Sequence, residues 1–199
     1  MRRIAVGMVL VALAAGLVGC AEDTVTDQYL AGSNQGYIGS DGVQYDEIEP
    51  DDRGDPVTWS GETEDGDALS SDDVAGKVVV VNFWYAGCAP CRAEAADLEA
   101  TWQSYQDQNV QFVGVNTSDQ ADTAASFEKK YGVTYPSIID VNDGTMKLAF
   151  AGAIPIDATP STIILDASGR VAVRIIGRIE SQSILDTLIS DTLKEKASA

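Results

Sequence analysis

Histidine is absent from the 199 residues, and cysteine occurs only three times. A structural zinc site takes four ligands from Cys, His or carboxylate, commonly as two pairs. With no imidazole and no second cysteine pair, zinc does not fit, and neither a metal nor another cofactor is expected. Haem attachment through C-x-x-C-H is excluded as a motif, because Arg92 follows Cys91. Basic residues are scarce: 13 Lys and Arg stand against 31 Asp and Glu, for a net charge of −18. Phosphate binding needs clustered cations, so nucleic acid is not an expected partner. A long apolar run is missing too. The run from Ile4 to Val18 falls short of the ~20 residues that cross a membrane as a helix.

That run follows Met1-Arg2-Arg3 and leads into LVGC, Leu17 to Cys20. A short positive start and an apolar stretch of this length read as a secretory signal. LVGC resembles the lipobox of bacterial lipoproteins, in which the cysteine becomes the mature N-terminus. The resemblance implies cleavage after Gly19, lipid on Cys20 and anchoring at the outer face of a bacterial membrane. Residues 1–19 are therefore expected to be a signal, 20–55 an acidic flexible stalk and 56–199 the folded domain. Residues 21–76 hold sixteen acids and one base, Arg53, whereas 77–199 hold fifteen acids and ten bases. Stretches such as AGSNQGYIGSDG have too little apolar surface to offset the entropy of ordering. The excess charge solvates a tether and repels anionic lipid; docking to a basic partner is the alternative.

From Pro56 the pattern changes. VTWS, EDGD and ALSS predict a β-hairpin turning at Asp65-Gly66. VVVVNFW, Val78 to Trp84, is apolar and β-branched, as expected of a central strand covered on both faces. A helix is predicted from Pro90 to Gln106, with Cys91, Ala95, Leu98, Trp102 and Tyr105 on one face. VQFVGVN is a second buried strand. A helix over 121–131 follows, ended by Gly132. SIID reads as a short strand and DGTMKLAF as a short helix. STIILD and RVAVRIIG flank a turn at 167–169, and SQSILDTLISDTL closes the chain with Ile184, Leu185, Leu188, Ile189 and Leu193 facing inward. Such alternation predicts an α/β fold with a mostly parallel sheet, to which the hairpin adds an antiparallel edge.

Cys88 and Cys91 then lie where a buried strand turns into a helix. Pro90 suits an early helical position, which needs no N–H. The unpaired N–H groups and positive dipole end there favour a thiolate on Cys88. Cys91 is one turn further in, on the buried face. An exposed nucleophile and a buried resolving thiol make a dithiol exchange device. As a structural staple the pair is poor, since its loop is very short.

VVVVNFWYAGCAPCRAE resembles the active-site region of thioredoxin-fold proteins, and more narrowly the membrane-tethered, extracytoplasmic TlpA-like and ResA-like thiol–disulfide oxidoreductases. The hairpin leading to GKVVVVNFW, the strand FVGVN, and ATPSTIILDASGRV at the expected distance all agree. The resemblance covers about residues 56 to 195. It implies a thioredoxin-like fold, with a central mixed sheet, helices on both faces and an added N-terminal β-hairpin. It also implies a nucleophile at Cys88, a resolving thiol at Cys91, a cis-proline at Pro160, and a Thr159 backbone that bonds a substrate strand. Two departures from thioredoxin proper stand out. Gly87 replaces the tryptophan before the first cysteine, and Asn82 replaces a buried aspartate. Glu94 matches an acid of the tethered branch, and partial burial would suit it to move the Cys91 proton. Trp84 is either core packing or a groove wall beside the pair.

The leading reading is a lipid-anchored thiol–disulfide oxidoreductase acting as a monomer. Its expected partners are exported proteins with thiols or disulfides, apocytochrome c among them, and a membrane dithiol carrier that supplies electrons. A peroxiredoxin-like peroxidase is a second reading, weakened by Tyr85 where that chemistry wants Thr. A surface lipoprotein that binds a partner and keeps a static disulfide is a third.

Overall fold

The computed structural model describes residues 37–38, 43–155 and 157–195. The expected signal, Cys20 and most of the stalk lie outside these residues. β5 (Val78–Trp84) is buried at all seven positions. It earns that burial from its place in the seven-stranded sheet, whose order is β1-β2-β9-β8-β5-β6-β7. The neighbours of β5 are β6 (Val110–Asn116), parallel to it, and β8 (Ser161–Leu165), antiparallel. β7 (Ser137–Ile139) continues the parallel side, and β9 (Val171–Ile176) pairs antiparallel with β8. β2 (Gln44–Glu47) pairs with β9, and β1 (Tyr37–Ile38) pairs with β2.

Strand periodicity sorts the core into two layers. Val78 and Val80 join Leu98 and Tyr105 of α1 (Ala89–Tyr105) and Leu185, Leu188 and Ile189 of α4 (Gln182–Glu195). Val79, Val81 and Phe83 point to the other face, against Met146 of α3 (Thr145–Ala149), Phe150, Ile154 and Trp59. A third cluster, at the end of β5, joins Trp84, Cys88, Cys91 and Ala95 to Ala124 and Phe127 of α2 (Ala121–Tyr131). Gly132 ends α2 in the left-handed conformation at φ 75°, as its position predicts.

Three expectations are corrected. Order begins before Pro56: Val43 is buried, β2 is hydrogen-bonded to β9, and Arg53 is buried against Asp166 and Glu195. QYDE alone has little apolar periodicity, so its strand character comes from a partner far away in the chain. The sheet is mixed, as the resemblance implies, and not mostly parallel as the alternation of strands and helices suggests, because the β8–β9 hairpin sits between β5 and β2. The predicted hairpin is β3 (Ser60–Glu62) and β4 (Ala68–Ser70), turning at Gly66 with φ 86°. It forms its own two-stranded sheet and touches the main one through a Thr63–Ile138 bridge. That bridge covers the free edge of β7, which would otherwise offer unpaired backbone.

Candidate active site

β5 and β6 run parallel, so their C-terminal ends open side by side. Loops at such ends are where open α/β sheets place their chemistry. The loop after β5 carries Tyr85 to Cys88, and α1 starts immediately beyond. Cys88 is the N-cap of α1, and its Sγ accepts the Cys91 N–H at 3.1 Å. The two cysteines form a disulfide with Cα atoms 5.3 Å apart. The pair therefore sits at the positive end of a 17-residue helix. Cys91 is buried as expected, at 2 % exposure, but Cys88 is also covered, at 3 %. The nucleophile expected to be exposed is thus covered in this disulfide-bonded form, where Cys88 shares a buried cluster with Trp84 and Phe127.

The loop is tied down from two sides. The Ala86 N–H donates to Asp119 Oδ2 at 2.6 Å, and Arg92 donates to the Ala86 carbonyl at 3.0 Å. Asp119 is itself held by Asn116 Nδ2 at 3.0 Å, and the Thr117 N–H donates to the Trp84 carbonyl at 3.0 Å. These supports escaped the sequence reading, although NTSD directly after a strand is a turn signal that points to them. Arg92, in the first turn of α1, clamps the loop.

Glu94 lies one turn after Cys91 and is 1 % exposed. Its Oε1 accepts from Asn82 Nδ2 at 3.0 Å, and its Oε2 accepts from the Ile179 N–H at 2.9 Å. Asn82 also donates to Thr162 Oγ1 at 3.0 Å. Burial pushes the Glu94 pKa up to about 7, against the pull of the Ile179 and Asn82 hydrogen bonds and the Arg178 charge. The Asn82 departure now has a role. In place of a second carboxyl, it supplies a donor that holds Glu94 in position.

The Thr159–Pro160 peptide is cis. Ser161 is paired with Phe83, so one further step of that antiparallel register sets Pro160 beside Trp84. Pro160 is buried, and its carbonyl accepts from the Gly177 N–H at 2.9 Å; Thr159 is half-buried. Trp84 is buried in the cysteine cluster, stacked on Phe127 at 4.4 Å between ring centroids. It is the packed floor of the pair rather than an open groove wall. The structure thus brings Cys88, Cys91, Glu94, Trp84 and Pro160 to one end of β5.

A Redoxin family model matches residues 49–189. The chain belongs to the Redoxin family. Among its relatives, the "Thiol-disulfide oxidoreductase ResA" of Geobacillus thermodenitrificans is 30 % identical over 118 residues, 59 % of this chain and 65 % of that protein. The "Thiol:disulfide interchange protein HelX" of Rhodobacter capsulatus is 32 % identical over 120 residues, 59 % of this chain and 64 % of that protein. This Redoxin chain thus spans slightly under two thirds of the length of each. A solved structure, the "Secreted Thiol-disulfide Isomerase" of Corynebacterium glutamicum, superposes with a TM-score of 0.68 at 28 % identity. That match covers 79 % of this chain and 99 % of the other. The thioredoxin-like fold expected from the sequence is borne out.

Proposed function

We propose that this Redoxin protein is an extracytoplasmic thiol–disulfide oxidoreductase working through Cys88 and Cys91. The observation that carries the reading is the Cys88–Cys91 disulfide at the start of α1, with the buried Glu94 one turn behind it. In the reduced protein the helix N-terminus favours the Cys88 thiolate. That thiolate attacks one sulfur of a substrate disulfide, and the other sulfur leaves as a thiolate. Cys91 gives its proton to Glu94 and attacks the Cys88 sulfur. The second substrate thiol leaves, and the Cys88–Cys91 disulfide forms. The substrate has gained two electrons, and the protein has lost them. A membrane dithiol carrier returns them by the same exchange. Pro160 and the Thr159 backbone line the path by which a substrate strand reaches the pair.

The finer reading is a reductant of disulfides in exported proteins, with apocytochrome c disulfides as clients, held to the membrane by lipid on Cys20. LVGC at residues 17–20 and the extracytoplasmic character of the resembled group support it. The test is a redox titration of Cys88–Cys91 against a thiol–disulfide buffer, with free thiols trapped by alkylation. A midpoint at or below about −270 mV marks a reductant, and one near about −120 mV marks an oxidant. A pair that fails to exchange with the buffer or with protein disulfides overturns the oxidoreductase reading.

A further inference from the structure

The turn that leads into the redox pair is gripped by two charged side chains. The Cys88 N–H donates to the Tyr85 carbonyl at 3.1 Å, which makes Ala86 and Gly87 the middle of a tight turn ending on Cys88. Asp119 accepts the Ala86 N–H at 2.6 Å, and Arg92 donates to the Ala86 carbonyl at 3.0 Å. One residue is thus held at both of its backbone groups, from the loop after β6 and from α1. The grip is itself anchored. Asn116, fully buried at the end of β6 and level with Trp84, donates to Asp119 Oδ2 at 3.0 Å. Its Oδ1 accepts the Ser118 and Asp119 N–H groups at 3.1 and 2.7 Å.

Each charge is misplaced for its own helix. Asp119 stands directly before Gln120, the N-cap of α2, which makes no side-chain cap. Aspartate is among the better capping residues, yet this carboxylate turns to the neighbouring loop. Arg92 lies in the first turn of α1, where there is no acid to offset it. A cation there opposes the positive end of the helix dipole. Two breaks in local rules with one shared partner mark a demand from the site. That partner is Ala86, two residues before Cys88. None of these hydrogen bonds uses a cysteine side chain, so the grip does not depend on the disulfide.

We infer that Asp119 and Arg92 are positioning residues for Cys88, fixing the turn ahead of it so that its sulfur stays at the start of α1. There a thiolate meets free N–H groups and the positive end of the dipole. A sulfur held in one place also attacks faster than one that wanders, since a misplacement of about 1 Å can cost on the order of a hundredfold in rate. Asp119 serves as an acceptor, so an amide oxygen in the same place would do its work. Arg92 serves as a donor. The role of Cys88 as the attacking sulfur rests on the oxidoreductase reading above; the grip on Ala86 does not.

The experiment isolates Cys88 in the full chain with Cys91→Ser and follows its attack on dithiobis(nitrobenzoate) from acid to alkaline pH. The Cys88 thiolate bonds to one sulfur of the reagent, and the other sulfur leaves as a coloured thiolate. The midpoint of the profile reads thiolate formation, and its plateau reads placement. Asp119→Ala is expected to lower the plateau about tenfold, and Asp119→Asn to retain most of the original rate. Both variants remove the same charge, so the difference between them reads the hydrogen bond. Arg92→Ala is expected to act like Asp119→Ala, with recovery in Arg92→Lys. Both residues act on Ala86, so the double alanine variant is expected to fall no further than the slower single one. Equal plateaus for Asp119→Ala and Asp119→Asn overturn the inference. So does an alanine variant that leaves the plateau unchanged, or a double variant whose losses add. If Asp119→Ala does not fold, Arg92→Ala against Arg92→Lys decides, and equal plateaus there overturn the inference as well. A protein that shows the expected pattern with this reagent but leaves protein disulfides unreduced would lose the oxidoreductase reading and keep the positioning.

Discussion

Glu94 illustrates how one buried carboxyl ties function to stability. In the fold its pKa lies at about 7, above the ordinary 4.5, because burial disfavours the charge. As pH rises from the lower value, the unfolded chain gives up this proton first and the folded chain keeps it. Stability contributed by the neutral form is complete below the ordinary pKa, falls across the window and levels off above the folded value. The loss over that window is about 3 kcal/mol. Glu94→Gln carries no charge, so urea unfolding on either side of the window is expected to show that part of the fall abolished. The same variant is expected to slow substrate release at alkaline pH, where the wild-type carboxylate accepts the Cys91 proton. A Glu94→Gln protein whose stability falls with pH as steeply as the wild type would disprove the buried-acid assignment.

Strands and helices set these groups at working distance. β5 delivers Asn82 and Trp84 on one side of its pleat, two residues apart, so Asn82 meets Glu94 while Trp84 underlies the cysteines. β6 contributes by absence of a side chain at Gly114, level with Asn82 and Ser137 in the ladder. Gly114→Ala is expected to destabilise the protein by about 1–3 kcal/mol, the usual cost of overpacking. Its Cβ meets the Ser137 hydroxyl at 2.1 Å and the Trp84 N–H edge at 2.8 Å. Thermal unfolding measures the loss. An alanine tolerated there without change would mean that Ser137 and Trp84 are not held as described.

In the molecule as a whole, residues 43–55, just ahead of the hairpin, belong to the fold rather than to a tether. Arg53, its side chain 3 % exposed, pairs with Asp166 at 3.1 Å and Glu195 at 2.6 Å, and donates to the Ile48 carbonyl at 2.8 Å. It thereby fastens the β8–β9 turn and the end of α4 to the strand β2. A fragment beginning at Pro56 loses this guanidinium and uncovers the edge of β9. Removing one partner of a buried ion pair costs about 3–5 kcal/mol. The fragment is therefore expected to unfold at clearly lower urea than a fragment beginning before β2. Equal midpoints would place the domain boundary at Pro56 after all.

Much of this was legible in the order of residues because the relevant physics is local. Six apolar residues in VVVVNFW dictate a buried strand, Pro90 suits the first turn of a helix, and C-x-x-C at that junction places two sulfurs at the helix start. Gly132 after α2 and Gly66 in the hairpin were readable for the same reason, whereas the cis peptide at Thr159-Pro160 was implied by the family resemblance. Glu94 could be named as a candidate because it matches an acid of the resembled family three residues after Cys91. Its burial, its Asn82 and Ile179 donors and its raised pKa could not, since Ile179 is 85 residues away and reaches it only when α1 and the loop after β9 meet. The pairing of β2 with β9, the clamp on Ala86 by Asp119, and the Trp84 indole N–H donated to Ser137 likewise join residues far apart in the chain. Periodicity reports which side of an element is apolar; it carries no information on which distant donor will face a buried acceptor. That choice was made when the layers packed.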